Sequence, residues 1–292
     1  MLEGPIVLTG ANGLLGGAFA SALAGKNLVR LGREQLGPQA PDSVARLVSG
    51  LVPTLVINCA ADTDVEGAET APERAFAVNA TLAEAVARGA AQSGAPMLHF
   101  SSTGCYGDWK TTPYTEDDEL RPTTVHHRSK AVGEEMVLRA HREALVLRLG
   151  WVFGGVAGQG KNFVWARLVE AQGKEEIASN PAQVGCPTSA TDTVAQSLVL
   201  LRARASGVFN CVGTGPPASR LDYVVAIMAA AGLNTRVMPV VPARRAPVSA
   251  NESAVNDRLD RVQLGTMPPR RTSLTQFVKA LQDNAVEQGG LP

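Results

Sequence analysis

Short apolar runs alternate with amphipathic or alanine-rich stretches along the first half of the chain. The apolar runs at 6–9, 28–33, 55–61, 96–102 and 144–149 are typical of strands buried in a parallel sheet. The stretches at 14–23, 42–51, 72–78, 81–93 and 128–142 predict helices. Because strands and helices alternate regularly, we predict an α/β fold with a doubly wound parallel sheet of the Rossmann type.

The pattern changes after residue 155. A glycine-rich loop is followed by predicted helices at 162–172, 192–203 and 219–231, an irregular segment at 180–188, a strand at 207–212 and a closing helix near 274–286. We therefore predict a Rossmann domain of residues 1–155 plus about 184–212. Residues 156–183 and 213–292 would form a smaller C-terminal substrate lobe over the carboxyl edge of the sheet.

Three glycines follow the first predicted strand at intervals of three residues: Gly10, Gly13 and Gly16. Glycines at this spacing let the backbone turn tightly and approach a pyrophosphate, which then rests on the N-terminal N–H groups of the next helix. The strand before them and the Ala- and Leu-rich helix after them are the context that this motif requires. The stretch predicts a dinucleotide site.

The second predicted strand ends on Arg33. At this end of a Rossmann strand an acidic residue favours a ribose 2′-hydroxyl, whereas a cation favours a 2′-phosphate. Arg33 therefore predicts NADP(H), with a solvated surface arginine as the alternative. The next strand ends on small residues, Cys59, Ala60 and Ala61, which allow the cofactor to approach closely. Ser102 ends the fourth strand at the edge where open α/β sheets bind ligands, so it is a candidate for chemistry.

Charge and composition narrow the class of partner. The chain has 27 basic and 27 acidic residues, which favours neither nucleic acid nor an anionic membrane surface, so we expect a small-molecule substrate. No apolar run approaches the ~20 residues that span a bilayer, and the N-terminus lacks a signal-type pattern, so we expect a cytoplasmic location. The four cysteines are far apart and lack metal-ligand spacing, so we predict no metal site.

With these elements placed, the chain resembles the extended short-chain dehydrogenase/reductase superfamily, and within it the dTDP-4-dehydrorhamnose reductase branch. The resemblance covers most of the length. The matching stretches are the 9–16 glycine loop, 57–61, 78–80, Ser101-Ser102, 106–108, Arg128-Ser129-Lys130 with Gly133-Glu134, 151–154, Asn162-Phe163 and the Gln183-x-Gly185-x-Pro187-Thr188-x-Ala190-x-Asp192 segment. The last of these is the most specific for the branch.

The resemblance implies a nicotinamide cofactor across the sheet and, as substrate, a nucleotide-activated 4-keto deoxysugar or a related secondary-metabolite carbonyl. The catalytic set it implies is Ser102, a tyrosine and Lys130. The residues implied to bind NADP(H) are Gly10, Asn12, Gly13, Leu14, Leu15, Gly16, Arg33, Cys59, Ala60, Ala61, Asn79, Lys130 and Trp151. Those implied to bind substrate are Thr103, Tyr106, Trp151, Asn162, Gln183 and Thr188. A homodimer through two long helices is an arrangement that the superfamily often adopts.

The tyrosine position of the resembled family is occupied by His126. In that family the tyrosine, four residues before the lysine, protonates the substrate carbonyl while hydride arrives from NADPH. The i, i+4 spacing places His126 and Lys130 on one helix face, and we expect the neighbouring His127 to point away from it. An ammonium neighbour lowers the pKa of an imidazole below its usual ~6.5. His126 is therefore expected to be neutral at pH 7, and a poor proton donor.

Three interpretations of His126 follow. It is a replacement acid that works at lower pH, or the proton comes from another group or through water, or the site performs no redox chemistry. A structural histidine in a relic site is the alternative to any functional role. Smaller departures concern the substrate and the adenosine side: Leu36-Gly37 replaces the Leu-Asp of the branch, Ala182 lies where an aspartate is common, and 242–251 follows the branch only loosely.

Two functional hypotheses result. The first is an NADPH-dependent ketoreductase with Ser102, His126 and Lys130 in place of the Ser/Tyr/Lys set. The second is a cofactor-binding protein without redox activity, either a regulatory subunit or a catalyst of elimination, epimerisation or cyclisation with His126 as base. The retained Ser102 and Lys130 favour the first.

Overall fold

A six-stranded parallel sheet forms the centre of the computed structural model, which describes residues 3–37 and 39–287. Its strands are β1 (Ile6–Thr9), β2 (Leu28–Leu31), β3 (Leu55–Asn58), β4 (Met97–Ser102), β5 (Leu145–Leu149) and β10 (Gly207–Cys211), in the order β10-β5-β4-β3-β1-β2. The remaining strands form short two-stranded pairs: β6 (Trp151–Phe153) with β9 (Pro187–Ser189), β7 (Glu176–Ser179) with β12 (Arg236–Pro239), and β8 (Val184–Gly185) with β11 (Ala218–Ser219). Every residue of β1, β3 and β5 is buried, which explains their continuous apolar runs. The predicted doubly wound sheet is confirmed.

The helices cover both faces of this sheet and also build the smaller lobe. They are α1 (Leu14–Ala22), α2 (Arg33–Leu36), α3 (Pro41–Gly50), α4 (Val65–Ala68), α5 (Pro72–Phe76), α6 (Ala83–Ser93), α7 (Val125–Ala140), α8 (Phe163–Ala171), α9 (Ala190–Arg202), α10 (Arg220–Ala231), α11 (Asp257–Val262) and α12 (Arg270–Glu287). Apolar side chains of α1 and α9 pack on one face, and those of α3, α6 and α7 pack on the other. The strand order switches at β1, with β2 on one side and β3 on the other, so a ligand crevice opens at the carboxyl ends of the neighbouring strands β1 and β3.

Several predicted boundaries shift in the structure. Helix α7 begins at Val125 and not at residue 128, because the Thr124 side chain accepts the backbone N–H of His127 at 3.1 Å and caps the helix. The helices predicted at 72–78 and 81–93 are joined by a π-helical turn, Ala77–Leu82. The segment predicted as irregular, 180–188, contains β8 and part of β9. The earlier start of α7 matters most, since it brings two histidines into its first turn.

The smaller lobe has an apolar core of its own. Side chains of β6, α8, α10 and α12 meet there, among them Phe153, Leu168, Ile227 and Val278. Strand β10, from the second half of the chain, instead pairs with β5 and completes the main sheet. Over the residues that the structure describes, no helix combines the length and apolarity needed to cross a bilayer.

Candidate active site

The glycine loop between β1 and α1, which we call the glycine cradle, leaves space that side chains at its glycine positions would fill. Gly10 has a φ of +64°, and a Cβ there would lie 2.6 Å from the carbonyl carbon of Cys59. A Cβ on Gly16 would lie 2.1 Å from the Gly10 carbonyl oxygen. Gly13 caps α1 without a side chain, and within 3–37 and 39–287 the first-turn N–H groups of the helix have no protein acceptor. The loop therefore fits the pyrophosphate of a dinucleotide.

The other residues predicted at this edge surround the loop. Asn12, Leu14 and Leu15 lie in the loop and the first turn of α1, while Cys59, Ala60 and Ala61 directly follow β3. The backbone N–H of Ala60 donates to the Thr9 side chain at 3.1 Å, which ties the ends of β1 and β3 together. Arg33, predicted to end the second strand, instead begins the short helix α2, because β2 ends two residues earlier at Leu31. Its side chain is exposed, and none of the described residues accepts a hydrogen bond from it.

Ser102 and Lys130 meet at the carboxyl end of β4. Ser102 is the last residue of the strand, and its Oγ accepts the Gly104 backbone N–H at 3.2 Å. Lys130 lies on α7, is 5% exposed, and donates from Nζ to the Phe100 carbonyl at 2.5 Å. Burial lowers the Lys130 pKa to about 8, although the charge of Glu134 acts in the opposite direction. The structure therefore places both predicted residues at the carboxyl end of β4.

His126 is buried beside them in the first turn of α7. Its side chain is among the buried polar groups at 7% exposure, and Nδ1 has no hydrogen-bond partner in the described structure. Burial, followed by the charges of His127 and Lys130, lowers the His126 pKa to about 3. The imidazole is accordingly neutral at pH 7, in the predicted direction, but burial and not the ammonium is the first cause.

His127 does not point away from the site, so that expectation is wrong. Its ring lies against the turn after Ser102: a Cβ on Gly104 would come within 2.2 Å of the ring atoms. The ring also contacts His126 edge-on, with centroids 4.9 Å apart. Burial lowers the His127 pKa to about 4. The signal that could have located His127 is Thr124, a good N-cap residue that sets the helix start earlier.

Asn79, predicted to bind the cofactor, is fully occupied by protein contacts. Its Oδ1 accepts the Asp62 backbone N–H at 2.9 Å, and its Nδ2 donates to the Asp62 carbonyl at 3.0 Å and to Ser129 Oγ at 2.9 Å. Asp62 in turn accepts from Arg74 Nε at 2.6 Å. The structure thus assigns Asn79 to holding the chain after β3 against α7, one layer behind the site.

Tyr106, predicted to contact substrate, belongs instead to a buried set that we call the Arg148 network: Arg148, Glu134, Tyr106 and Asn210. Arg148 donates to both carboxylate oxygens of Glu134, at 3.0 and 2.5 Å. The Tyr106 hydroxyl accepts from Arg148 at 2.9 Å and donates to Asn210 at 2.8 Å. Tyr106 is fully buried. The structure therefore places Tyr106 in a buried protein network, where its hydroxyl already has two protein partners.

Three further predicted substrate residues also have structural tasks. Thr103 is 1% exposed at the start of a 3₁₀ turn. Asn162 caps α8 by accepting the Trp165 N–H at 3.1 Å. Thr188 is fully buried and donates to the Cys186 carbonyl at 2.9 Å. Each of these three residues therefore has a structural role in the folded chain.

Gln183 lines a cavity together with Arg220, and Trp151 contacts Arg220 and Glu252; sequence reasoning missed both Arg220 and Glu252. Trp151 Nε1 donates to Glu252 Oε2 at 2.7 Å, and the Arg220 guanidinium lies 3.5 Å from the centroid of the Trp151 ring. Arg220 Nε donates to Gln183 Oε1 at 3.4 Å. We call Glu252, Trp151, Arg220 and Gln183 the Glu252 cluster. No local pattern marks Glu252, since its partner Trp151 is 101 positions away.

The cavity next to this cluster is rich in cations. It has a volume of about 400 Å³ and is lined by Phe163, Arg167, Ala178, Ser179, Asn180, Gln183, Arg220, Val240, Pro242 and Arg244. Three arginines and no carboxylate among the lining residues suit a diphosphate. A second cavity, of about 480 Å³, lies between α8, α10 and α12 and contains none of the predicted site residues. No group of three His, Cys, Asp or Glu side chains in the described part of the chain is placed to hold a metal ion.

Comparison with known proteins identifies relatives over nearly the whole chain. The family model described as the RmlD substrate binding domain matches residues 4–283. The dTDP-4-dehydrorhamnose reductase of Mycobacterium tuberculosis is 36% identical over 266 residues, which cover 87% of this chain and 85% of that protein.

Solved structures show the same fold. A dTDP-4-dehydrorhamnose reductase from Clostridium acetobutylicum superposes with a TM-score of 0.89 and 27% identity, covering 95% of this chain and 99% of that chain. The Bacillus anthracis dTDP-4-dehydrorhamnose reductase, solved in complex with NADP, has a TM-score of 0.89 and 24% identity with the same coverage.

Proposed function

The chain belongs to the RmlD substrate binding domain family, and on that premise we propose that it is an NADPH-dependent reductase of a 4-keto group on a nucleotide-activated deoxysugar. The observation that carries the proposal is the placement of two complementary sites at one sheet edge. The glycine cradle lies at the carboxyl ends of β1 and β3, and Ser102 and Lys130 lie at the end of neighbouring β4. The arginine-lined cavity adjoins them through the Glu252 cluster.

The cofactor side of the proposal rests on the backbone. Gly10, Gly13 and Gly16 leave room for a pyrophosphate, and the N–H groups of the first turn of α1 would bind it. Arg33, exposed at the start of α2, would pair with a 2′-phosphate. NADPH, once bound, supplies the hydride. The Bacillus anthracis relative was solved in complex with NADP, which supports this assignment.

The substrate side rests on charge. A nucleoside diphosphate carries two negative charges in its pyrophosphate, and Arg167, Arg220 and Arg244 are three cations around one cavity. The names of the relatives identify dTDP-4-dehydrorhamnose as the first substrate to test. Its sugar would extend from the cavity along the Glu252 cluster toward Ser102.

The reacting carbonyl would lie near Ser102 and His126. The Ser102 hydroxyl can donate a hydrogen bond to the oxygen, where negative charge develops during hydride transfer. Neutral His126 adds a ring N–H donor. Lys130, held by the Phe100 carbonyl, contributes a positive charge to the same small volume.

The direct test is to mix the protein with NADPH and dTDP-4-dehydrorhamnose and to follow NADPH absorbance together with the sugar product. We expect one NADPH oxidised per keto group reduced, slower turnover with NADH, and no turnover in Lys130→Met. Product formation without NADPH oxidation would instead establish the non-redox hypothesis, in which His126 acts as a base. No conversion of this or other 4-keto nucleotide sugars would contradict both.

A further inference from the structure

A glycine-rich loop, residues 155–161, lies between β6 and α8 and reaches from the smaller lobe to the cofactor edge of the sheet. The Gln159 side chain donates from Nε2 to the backbone carbonyl of Asn12, in the glycine cradle, at 3.2 Å. The Lys161 ammonium donates to Thr63 Oγ1 at 2.5 Å, and Thr63 lies five positions after the end of β3. The loop is therefore tied to both walls of the dinucleotide crevice, and we call it the clasp.

The clasp lies against the cradle along its length. Its anchors Gln159 and Lys161 are two residue steps apart, which span at most ~7 Å of backbone. At its start, a Cβ on Gly155 would come within 2.6 Å of Leu14 Cδ2, in the first turn of α1. The clasp is thus next to the N–H groups that would bind the pyrophosphate of a dinucleotide.

The Lys161 ammonium is not paired with any carboxylate of the described residues. Its acceptor is the neutral hydroxyl of Thr63. Asp62 and Asp64, on either side of Thr63, are instead paired with Arg74, at 2.6 and 3.3 Å. An ammonium has three N–H donors, and Thr63 takes one of them. Two donors and a full positive charge on Lys161 therefore remain for an anion.

A cation at this place would complement the glycine cradle. Residues 9–16 contain neither lysine nor arginine, so the loop offers a pyrophosphate no positively charged side chain. Arg33, at the start of α2, is assigned above to the 2′-phosphate and not to the pyrophosphate. Hydrogen bonds from an ammonium to a phosphate are about twice as strong as those between neutral groups. Lys161 can therefore supply the charge that the glycine loop lacks.

We propose that Lys161 is a further cofactor-binding residue, whose ammonium pairs with the pyrophosphate of NADP(H), and that the clasp closes over the bound dinucleotide and slows its release. The proposal rests on the cofactor side of the function proposed above, and not on the reaction that follows. Thr63 holds the ammonium in place while its free N–H groups donate to the phosphates. Gln159 holds the clasp against the cradle.

The tip of the clasp is weakly packed, so it can open for cofactor entry. Gly158 has a φ of +73°, and a Cβ on Gly158 or Gly160 would meet nothing within 4 Å. Val156 is 65% exposed. The side-chain hydrogen bonds of Gln159 and Lys161 therefore hold the tip to the Rossmann domain, and breaking these two bonds would free it.

Fluorescence titrations with NADPH and with NADH, in the absence of any sugar, test the Lys161 contact. The two dinucleotides have the same pyrophosphate, so Lys161→Met should raise the Kd of both by about 10-fold. Arg33→Ala, by contrast, should weaken NADPH alone. Lys26→Met is the matched control, because Lys26 is an exposed lysine in the connection before β2, at the amino edge of the sheet. Both affinities should stay at the wild-type values in this control.

Two further measurements distinguish a charge contact from a structural role. The difference in Kd between the wild type and Lys161→Met should shrink when NaCl is raised from about 0.05 to about 0.5 M, because salt screens an exposed ion pair. Lys161→Arg, which keeps the charge, should recover most of the affinity. In stopped-flow chase experiments, Gln159→Ala should release NADPH about 3-fold faster than the wild type, since the clasp loses its bond to the Asn12 carbonyl.

Wild-type affinities for both dinucleotides in Lys161→Met would exclude the contact with the pyrophosphate. A loss confined to NADPH would place Lys161 at the 2′-phosphate and would overturn the assignment as well. An unchanged release rate in Gln159→Ala would refute the closing of the clasp. If the wild type binds neither dinucleotide, the proposal fails together with the cofactor assignment. If it binds them as expected but reduces no 4-keto sugar, only the reductase function fails.

Discussion

Two buried polar clusters lie close to the carboxyl edge of the sheet, and they differ in the completeness of their hydrogen bonds. In the Arg148 network, Glu134 accepts two hydrogen bonds from Arg148, and Tyr106 both donates and accepts within the protein. Around the Glu252 cluster, by contrast, His126 Nδ1 and His127 Nδ1 have no described partner, and the buried carboxyl has one neutral donor. A complete network stabilises the fold, whereas an incomplete one leaves donors and acceptors for a ligand.

This contrast also distinguishes Tyr106 from Trp151, although both belong to motifs of the family. Tyr106 is fully buried, with every partner inside the protein. Trp151 is 8% exposed and carries Arg220 on its ring, next to the cationic cavity. Removing a member of the first cluster should therefore cost stability, and removing a member of the second should cost function.

The largest effect is expected from Glu134→Ala. This change leaves the Arg148 guanidinium buried without its carboxylate, which should lower the free energy of unfolding by ~3–5 kcal/mol. Urea denaturation measures the loss. Glu135→Ala, at an exposed site on the same helix, should change stability by less than ~0.5 kcal/mol. Equal stabilities of the two variants would show that the complete Arg148 network does not stabilise the fold.

Ser102→Ala should give the next largest effect, on rate and not on stability. If the hydroxyl stabilises charge on the substrate oxygen, kcat should fall by ~10²-fold, or about 2.7 kcal/mol of transition-state stabilisation. The unfolding midpoint in urea should stay near that of the wild type, since Ser102 is half-buried and its Oγ contact to Gly104 is long at 3.2 Å. Normal turnover would remove Ser102 from the mechanism.

His126→Phe should change how stability depends on pH. The His126 pKa is about 3 in the folded protein and ~6.5 when unfolded, so the unfolded chain binds more protons below pH 6.5 and the wild type loses stability as pH falls. At pH 5 this one group should account for about 2 kcal/mol of the loss. The variant should lack that contribution while resembling the wild type near pH 7. If the stability of the wild type and of His126→Phe changed with pH in parallel, His126 would be solvated, and its unpaired ring nitrogen would not be a buried group.

The Lys130 pKa of about 8 predicts a second pH dependence, that of kcat. If the Lys130 ammonium is needed for reduction, the kcat of the wild type should fall as pH rises through about 8. The same fall is expected in His126→Phe if this variant retains measurable activity. Between pH 5 and 7 the His126 imidazole does not titrate, so an acidic-side increase in rate, as expected for a replacement acid, should be absent. A pronounced increase in kcat as pH falls from 7 to 5 would indicate that His126 is the acid.

The smallest effect is expected at the protein surface, from Arg33→Ala. Arg33 has no acceptor among the described residues, whereas the exposed Arg74 is paired with Asp62. Exposed arginines therefore also differ in whether a protein partner occupies them. NADPH affinity should fall by roughly 10-fold and NADH affinity should stay constant, because a charge-assisted pair with the 2′-phosphate is lost. Arg46→Ala, an exposed change on α3, is the control. Equal losses for both cofactors would exclude a contact with the 2′-phosphate.

The sequence alone determined the central fold and the position of the cofactor edge. Apolar runs that are fully buried, such as β1 and β3, and glycines such as Gly10 and Gly16 leave local patterns, because sheet burial and backbone geometry restrict the residue types at each position. The i, i+4 pair of His126 and Lys130 is also local, so its common face could be inferred from spacing.

Only the tertiary structure decided which polar residues are enclosed by protein partners and which lie beside the candidate site. Tyr106 and Thr188 match family motifs but are closed off by protein partners, while Glu252 and Arg220 match no recognised motif and lie at the site. Their hydrogen bonds join residues 101 positions apart for Glu252 and Trp151, and 37 apart for Arg220 and Gln183, and contacts of that range leave no periodic pattern in the sequence. Burial, which lowers the pKa of His126 and raises that of Glu252, likewise depends on every element packed around them, and so it emerges only when the chain is folded.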